Sequence, residues 1–312
     1  MHLRTFALAL AVLWLITCRI ANAATAVWID TDPAIGAPWR EVDDAFALVL
    51  AFHSPELRIV GVSSTYGNAA LPRTTAVARD LVGRFGGSAH LAAADVHPGA
   101  ASPADRGVPT EATEALASAL RAGKLTYLAI GPLTNLATFL QLHPDLATQF
   151  ERVVFVGGRS EDRPLRFGPA RRLSVHDANV FKDPAAPAAV LRANVPLTLA
   201  SIETAPELPL TSGDVAQLGA GGPAGDYLQR HTRVWLWFWR RFVREKGGLV
   251  FDVLAVLPAI RPELLRTEER FLRVDHGELL AARRSTPGAR RARFSVGVAP
   301  AAKALVVRRL AL

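Results

Sequence analysis

Four aspartates near the start of the chain have the spacing of an acidic site at the end of a strand. Asp30 and Asp32 occupy alternate positions where an apolar run ends at Pro33, and Asp43 and Asp44 open the next apolar run. Buried carboxylates crowded at one strand end repel each other unless a cation lies between them. Oxygen ligands favour a hard cation such as Ca²⁺ or Mg²⁺. The alternative, a solvated acidic turn and a helix N-cap, suits Asp43 or Asp44 better than it suits Asp30 and Asp32.

The elements that would position these aspartates are short apolar strands alternating with Ala/Leu-rich helices. The predicted strands are 26–30, 59–65, 125–130, 153–156 and 197–200. The predicted helices include 43–52, 71–85, 113–122, 133–142 and 185–192. Nearly continuous apolar strands between helices indicate an α/β fold, in which helices cover both faces of a mostly parallel, Rossmann-like central sheet.

Polar or glycine-containing turns follow several of the predicted strands. Asp32 follows the first strand, Asn68 the second, Gly131 the third and Gly157 the fourth. Ligands of open parallel sheets bind at the carboxyl ends of the strands. We therefore expect these turns to converge on one rim of the sheet and to form the functional site there.

The remaining segments are less regular. Residues 92–109 are rich in Ala, Pro and Gly and predict a long loop. Residues 227–246 predict a long helix in which Trp235, Trp239 and Phe242 share one face, a pattern more typical of core packing than of a ligand platform. Beyond Leu264 we expect a few short strands or a loosely organised layer, so that a helical or irregular C-terminal part completes the fold.

The first residues have the pattern of a secretory signal. Arg4 precedes an apolar run at 6–16, and Ala21-Asn22-Ala23 fits a small-x-small cleavage site. We therefore predict a signal peptide at 1–23, a single domain at 24–312, and export to the periplasm or the medium, with no membrane span after cleavage. Cys18, the only cysteine, would be removed, so the mature protein would have no disulfide. Lipidation at Cys18 is a minor alternative.

The chain is basic, with a formal net charge of +8 over 312 residues. Much of the excess lies late in the sequence, in arginines that alternate with Ala, Pro, Gly and Ser, as at 283–293. Binding of nucleic acid typically needs basic residues interleaved with aromatic ones, or a known module. The composition therefore favours a solvated surface and a small-molecule partner over a nucleic acid.

Several motifs occur in an order that is typical of one family. The aspartate signature is followed by Tyr66-Gly67-Asn68, Ile130-Gly131-Pro132-Leu133-Thr134-Asn135-Leu136-Ala137, Val153-Val154-Phe155-Val156-Gly157-Gly158, Asp177-Ala178-Asn179-Val180-Phe181-Lys182-Asp183-Pro184 and Phe251-Asp252-Val253-Leu254-Ala255-Val256. Each motif alone is weak, but their order is specific. The chain resembles the calcium-dependent nucleoside hydrolases, also called inosine-uridine preferring nucleoside N-ribohydrolases, from about Val27 to about Ile260.

The resemblance implies a role for each matched position. The implied Ca²⁺ ligands are the carboxylates of Asp32, Asp44 and Asp252 and the backbone carbonyl of Ile130. The implied ribose-binding residues are Asp43, Asn68, Asp177 and Asn179. Asp32 would also be the base that activates a calcium-bound water, and Asp30 would brace the site through hydrogen bonds.

The implied reaction cleaves the N-glycosidic bond of a ribonucleoside, or of a related N-ribosyl compound, to free base and ribose. Positive charge develops on the ribosyl group in the transition state, and surrounding carboxylates stabilise such charge. A bound cation lowers the pKa of its water ligand. Members of the family are commonly oligomers, so the resemblance leaves a homo-oligomer open.

The sequence also departs from the family pattern. Ala34 stands where a Gly is usual, and an insert at 36–42 lengthens the turn before Asp43. Phe251 replaces a His that protonates the leaving base in many members, and Asp177 replaces a Glu. Arg171 lies where an Asn is usual, which suggests that an anionic group such as a 5′-phosphate is accommodated. Lower or equal activity on a nucleoside 5′-monophosphate would contradict that hypothesis.

These departures keep other interpretations open. The first alternative is a catalytically weak or inactive protein that binds nucleoside or ribose on the same scaffold in a calcium-dependent manner. The second is a metal-dependent phosphatase with an Asp-x-Asp nucleophile, which lacks support from a downstream Lys and Thr/Ser motif. His97 and His176 are candidate acids for the leaving base, although a loop histidine is more often polar surface. His231 and the Trp-rich helix could line a base pocket. Lys182 and Asp183 are interpreted as structural.

Overall fold

A ten-stranded sheet organises the fold. The computed structural model describes residues 24–37, 40–169 and 173–312, and the predicted signal peptide lies outside them. The strands are β1 (Thr25–Thr31), β2 (Leu57–Ser64), β3 (Val96–Pro98), β4 (Leu125–Ala129), β5 (Phe150–Val156), β6 (Arg159–Ser160), β7 (Arg166–Phe167), β8 (Leu173–Ser174), β9 (Leu197–Ala200), β10 (Pro209–Leu210), β11 (Gly248–Leu249), β12 (Leu265–Asp275), β13 (Glu278–Ala282) and β14 (Arg290–Val298). The large sheet has the order β3, β2, β1, β4, β5, β9, β14, β12, β13, β6.

Helices follow most of the parallel strands. They are α1 (Asp43–Phe52), α2 (Leu71–Phe85), α3 (Glu111–Ala122), α4 (Thr134–Leu142), α5 (Ala178–Lys182), α6 (Ala186–Arg192), α7 (Ser212–Gly219), α8 (Pro223–His231), α9 (Arg233–Trp237), α10 (Val253–Ile260) and α11 (Pro300–Leu310). Short 3₁₀ turns and one π-helical turn, Phe238–Val243, complete the connections. Within the described ranges, no helix is long and apolar enough to cross a membrane.

The central strands run parallel and are buried on both faces. Strands β1, β2, β3, β4, β5 and β9 pair in parallel, and β14 continues the sheet in parallel with β9. One apolar core lies between the sheet and helices α1, α2, α10 and α11. A second core lies on the other face, under α3, α4 and α6. The predicted α/β fold, with helices on both faces of a mostly parallel sheet, is therefore confirmed.

The C-terminal third is more regular than its sequence indicates. Strand β12 has 11 residues and pairs antiparallel with both β13 and β14, so these strands extend the main sheet. The loop predicted at 92–109 contains β3, which adds to the sheet edge through the pairing of Val62 with Val96. Three residues ending in a proline are too few for a periodic signal, and the edge position requires only one partner strand.

The predicted long helix at 227–246 is interrupted. Helix α8 ends at His231, and α9 begins after Thr232, whose hydroxyl donates to the carbonyl of Gln229. The π-helical turn that follows has more residues per turn than an α-helix, so side chains after Phe238 no longer point in the direction that a regular helix predicts. Trp235 and Trp239 are buried as expected, but Phe242 is 64% exposed, so its placement in the core was wrong.

Candidate active site

Two helices of one core layer begin at the same point of the carboxyl edge. Helix α1 starts with Asp43 and Asp44, and α10 starts directly after Asp252. The backbone N–H of Phe251 donates to Oδ2 of Asp43 at 3.1 Å and so joins the two helix starts. Helix N-termini carry partial positive charge that favours carboxylates. This arrangement explains how a buried apolar layer tolerates three acidic side chains at its end.

The carboxylates of Asp43, Asp44 and Asp252 form a compact group, here called the acidic cluster. One oxygen from each lies within 4.8 Å of the others, and all three residues are buried. Burial raises the pKa of Asp43 to about 8 and that of Asp44 and Asp252 well above the ordinary range; repulsion among the acids is the second cause. A cation at the cluster would relieve both effects, and an oxygen-only donor set suits a hard cation.

Asp32 lies beside the acidic cluster and is held from one side. Its Oδ2 accepts hydrogen bonds from the backbone N–H of Asn68 at 2.6 Å and from Nζ of Lys182 at 3.2 Å. Its own N–H donates to Oδ1 of Asp44 at 3.0 Å. Oδ1 of Asp32 is buried without a hydrogen-bond partner among the described residues. One oxygen of this carboxylate is therefore fixed by the protein, and the other is available to a ligand.

Asp30 lies one layer deeper and braces the turn. Its Oδ1 accepts from the hydroxyl of Ser63 at 2.6 Å and from Nδ2 of Asn135 at 2.7 Å. Burial raises its pKa to about 7. Asn135 also accepts a hydrogen bond from the backbone N–H of Ala100, so this amide of α4 links the end of β1 to the segment that follows β3. The hydrogen bonds are those expected of a bracing residue.

Asn68 connects the acidic cluster to Asp32 and Lys182. Its Nδ2 donates to Oδ2 of Asp44 at 2.9 Å, and its Oδ1 accepts from Nζ of Lys182 at 3.2 Å. Gly67 precedes it, and a Cβ there would overlap Oδ2 of Asp32. Glycine is therefore required at this position by close approach to the acid.

Asp177 and Asn179 lie at the start of the short helix α5. Oδ2 of Asp177 accepts from the N–H of Gly158 at 2.6 Å, and Oδ1 caps α5 through the N–H of Asn179 at 3.1 Å. Burial raises the pKa of Asp177 to about 6. Nδ2 of Asn179 donates to the carbonyls of Val156 at 3.0 Å and Ile130 at 3.4 Å. The Ile130 carbonyl thus accepts a hydrogen bond from Asn179, and its role as a metal ligand stays a prediction.

A cavity of about 250 Å³ opens in front of these groups and is here called the site cavity. Its polar lining consists of Glu41, Asp43, Asn68, His176, Asp177, Asn179 and Asp252. Its aromatic lining consists of Phe167, Phe238, Trp239 and Phe251. A larger, open groove of about 790 Å³ lies between α2 and α8, but it contains no member of the acidic cluster. The site cavity is therefore the place where a ligand would meet the carboxylates.

The aromatic side of the site cavity is formed by three rings, here called the aromatic cage. The ring centroids of Phe167, Trp239 and Phe251 lie 5.7 Å from one another in each pair. The interpretation of the aromatic stripe as core packing therefore holds for Trp235, which stacks on Phe46, and for Trp239, which is part of the same core. Trp239 is buried and also lines the site cavity.

The insert reaches the same site. Ala34 does not have a positive φ; the left-handed turn falls instead at Gly36, with φ of +84°, so the chain takes another path as the sequence suggested. Residues 38–39 lie outside the described ranges, as does Arg171. Glu41, at the end of the insert, has an Oε2 atom that is buried without a hydrogen-bond partner in the described chain. Burial raises its pKa to about 7.

The sequence did not assign Lys182 and Glu41 to the site that they contact or line in the structure. Lys182 was interpreted as structural, yet its Nζ contacts both Asp32 and Asn68. Glu41 was not singled out, although its place at the end of an insert next to Asp43 was a usable signal. Asp183 is structural as predicted, since its Oδ1 accepts the N–H groups of Ala185 and Ala186.

Of the candidate histidines, only His176 lines the site cavity. It is exposed and stacks on Phe181, with a centroid distance of 5.8 Å. His97 stacks instead on Trp28. Nδ1 of His231 donates to the Tyr227 carbonyl, and His231 lines the larger groove.

The fold and the site together define an α/β enzyme with a buried acidic site at the carboxyl edge of its sheet, and this site could bind a metal. The sequence profile described as inosine-uridine preferring nucleoside hydrolase matches residues 27–305. The chain belongs to this family, as the sequence motifs predicted, and it is an N-glycosyl hydrolase.

Individual relatives agree with this assignment. The pyrimidine-specific ribonucleoside hydrolase RihA of Salmonella schwarzengrund (strain CVM19633) is 27% identical over 280 residues, which cover 81% of this chain and 85% of that protein. The plant nucleoside hydrolase PpNRh1 has a similar structure, with a TM-score of 0.78 at 22% identity, covering 92% of this chain and 99% of that one. The purine-preferring ribonucleoside hydrolase from Gardnerella vaginalis gives a TM-score of 0.76 at 21% identity, with 92% and 98% covered. These two structures support the nucleoside hydrolase fold.

Proposed function

We propose that this protein is a calcium-dependent ribonucleoside hydrolase that releases ribose and a free base in the site cavity. The observation that carries the proposal is the acidic cluster of Asp43, Asp44 and Asp252 at one end of a cavity that Asn68, Asp177 and Asn179 also line. Carboxylate and carbonyl oxygens at several distances are ligands that Ca²⁺ tolerates better than Mg²⁺ does. The proposed ligands are Asp32, Asp44, Asp252 and the carbonyl of Ile130, with Asp43 close enough to share in binding.

A bound divalent cation would lower the pKa of a coordinated water and orient it. Asp32 is the proposed base for that water. Its Oδ1 has no hydrogen-bond partner among the described residues, while Asn68 and Lys182 hold Oδ2 and so fix the direction of the other oxygen. Lys182 also favours the ionised form of Asp32, because its positive charge lowers the pKa that burial raises. A base must be ionised to accept a proton at neutral pH.

The ribose would lie between Asp43, Asn68, Asp177 and Asn179, which are proposed to bind its hydroxyl groups. Positive charge develops on the sugar as the glycosidic bond lengthens, and the surrounding carboxylates stabilise that charge. Because the cluster is buried, this electrostatic stabilisation is stronger than it would be in water. Asp30 contributes indirectly, by holding the turn that carries Asp32.

The substrate class can be proposed from the site, but a particular base cannot. One relative is named pyrimidine-specific and another purine-preferring. We therefore propose ribonucleosides as the substrate class rather than one base. Export to the periplasm or the medium is proposed on the N-terminal sequence pattern alone, and a homo-oligomer is proposed only on the resemblance.

The main competing function is a calcium-dependent nucleoside- or ribose-binding protein on the same scaffold, which Phe251 in place of a proton donor favours. Ribose release from inosine, uridine, cytidine and adenosine, measured with calcium and with a chelator, separates the two functions. The proposal expects calcium-dependent ribose release from at least one nucleoside. Calcium-dependent binding of nucleoside without any ribose release would instead establish the binding protein.

A further inference from the structure

Apolar side chains are exposed on the outer face of α9 and of the π-helical turn that follows it. The inner face of this segment is buried in the core and consists of Trp235, Trp239 and Val243. The outer face of such a segment is usually polar. Here it carries Val234, Trp237 and Phe242, which are 49%, 52% and 64% exposed. These are three of the six large hydrophobic residues that are exposed in the described ranges, and all three fall within 234–242.

These apolar side chains are neighbours in space. The rings of Phe238 and Phe242 stack with a centroid distance of 5.4 Å and an interplanar angle of 20°. Val234 precedes Phe238 by four positions, the spacing that places two side chains on the same side of a helix. Phe238 also lines the site cavity, whereas Trp237 and Phe242 line neither that cavity nor the larger groove. Contiguous exposed apolar residues mark an interaction surface. This surface therefore lies beside the site cavity but outside it.

The same face is strongly basic. The segment 233–246 contains one acid, Glu245, whose Oε1 accepts a hydrogen bond from the N–H of Gly168 at 2.6 Å. Its five cations are all exposed, and none forms a salt bridge with a described residue; they are Arg233, Arg240, Arg241, Arg244 and Lys246. These cations, with Val234, Trp237 and Phe242, are here called the basic–apolar patch.

The composition of the basic–apolar patch favours a surface of anionic lipid. Lipid headgroups supply the negative charge that the protein does not, and Trp and Phe rings favour the boundary between headgroups and acyl chains. A second copy of the chain fits less well, because an isologous contact would bring the five cations towards those of the partner. A nucleic-acid strand follows a groove, whereas Trp237 and Phe242 stand out from the surface.

We propose that the basic–apolar patch docks this protein on membranes that contain anionic phospholipid, with the segment 233–243 lying in the plane of the membrane surface. The contact is peripheral, in keeping with the lack of a membrane-spanning helix in the described ranges. Attachment to a membrane usually needs two signals, and the patch combines basic charge with apolar side chains. The inference does not depend on the proposed hydrolase function.

The first test is sedimentation of the full chain with lipid vesicles. The protein should bind vesicles of phosphatidylglycerol and phosphatidylcholine in equal parts more strongly than vesicles of phosphatidylcholine alone, and high salt should weaken the binding. The double substitution Arg233→Gln with Arg241→Gln should lower the affinity by roughly 10-fold or more, because each basic side chain contributes at an anionic surface. Trp237→Ser with Phe242→Ser should lower it by a similar factor, because apolar burial is lost.

The matched control removes two charges from another exposed site. Arg283→Gln with Arg284→Gln should leave the affinity within about twofold, because these residues lie after β13 and outside the patch. Every variant keeps the same N-terminal sequence, so any binding by residues 1–23 is common to all of them. Circular dichroism and the Tm establish that each variant is folded.

A second measurement detects insertion of Trp237 itself. Vesicles with brominated acyl chains should quench part of the tryptophan fluorescence, and Trp237→Phe should reduce this quenching while vesicle binding is retained. Equal vesicle binding by the wild type and both patch variants overturns the inference, as does an equal loss of binding in the Arg283 and Arg284 control. Loss of a dimer in the patch variants without any vesicle binding would assign the patch to self-association. Binding of a single-stranded oligonucleotide but not of vesicles would assign it to nucleic acid, and either result overturns the proposal.

Discussion

Nζ of Lys182 lies 3.2 Å from Oδ2 of Asp32, so the last residue of the short helix α5 contacts the proposed catalytic base. The same ammonium group donates to Oδ1 of Asn68 at 3.2 Å. Burial raises the pKa of the Asp32 carboxyl, and the charge of Lys182 opposes that rise. We therefore propose that Lys182 is a positioning residue that fixes one oxygen of Asp32 and favours the ionised form of its carboxylate.

The first prediction concerns this contact. Lys182→Met should raise the pKa of Asp32, so the acidic limb of the pH profile of kcat/KM should move to higher pH, with a loss of roughly 10-fold at neutral pH. Lys124→Met, at an exposed position, is the control and should leave the profile unchanged. Lys182→Arg should restore part of the activity. An unshifted profile in the Met variant would show that Lys182 has only a structural role.

The second prediction concerns the acidic cluster. Asp252→Asn removes one of the three carboxylates whose oxygens lie within 4.8 Å of one another. Calcium affinity should fall by roughly 100-fold or more, because ligand charge determines the affinity of oxygen sites for Ca²⁺. Isothermal titration measures the change directly. Asp162→Asn, an exposed acid away from the cluster, provides the matched control. Unchanged affinity in Asp252→Asn would exclude Asp252 as a ligand.

The third prediction concerns stability and pH. In the metal-free protein, burial, followed by the charge of Glu41, raises the pKa of Asp43 from 3.8 to about 8. The folded protein therefore holds this proton more tightly than the unfolded chain does. Protonation of Asp43 makes its full contribution to the free energy of unfolding below about pH 4, and this contribution is lost as the pH rises to about 8. The Tm of the chelator-treated protein should therefore fall across this range. Calcium should raise the Tm most at pH 8, by roughly 5 °C or more.

Thermal scans at several pH values, with calcium and with chelator, check this dependence. The relevant quantity is the difference in Tm between the two conditions at each pH. If this difference were equal at pH 4 and pH 8, the buried carboxylates would not be coupled to metal binding.

The fourth prediction concerns a close backbone approach. Gly67→Ala would place a Cβ against Oδ2 of Asp32 and 3.1 Å from Nζ of Lys182. The acid must shift, so kcat/KM should fall by about 100-fold while the fold is retained, since small displacements of a reacting group have large effects on rate. Gly87→Ala, where a Cβ meets nothing within 4 Å, should have wild-type activity. Wild-type activity in Gly67→Ala would mean that the position of Asp32 is not critical.

The sequence predicts well those features that depend on local pattern. The strand 197–200 and the helices 43–52 and 71–85 coincide with β9, α1 and α2, because buried parallel strands and amphipathic helices have strong periodic signals. Several site residues are also accessible from sequence, because ordered motifs mark the carboxyl ends of the strands.

The remaining features depend on contacts between distant segments. Lys182 and Asp32 are separated by 150 positions, so their contact has no local signal. The aromatic cage combines Phe167, Trp239 and Phe251 from three separate segments. The strands after Leu264 depend on long-range pairing, in which β14 joins β9 and β12 joins β14 and β13, and their arginine-rich sequence resembles that of an exposed loop. Tertiary packing, rather than propensity, determines these parts.

The central claim is that the acidic cluster holds the calcium ion on which ribonucleoside cleavage depends. Its most direct test is a calcium titration of the chelator-stripped enzyme in which ion binding and ribose release from one cleaved nucleoside are followed in the same samples. The account predicts negligible ribose release without calcium and a rise in activity with the same midpoint as ion binding. Full activity in the stripped enzyme, or calcium binding that leaves ribose release unchanged, would contradict it.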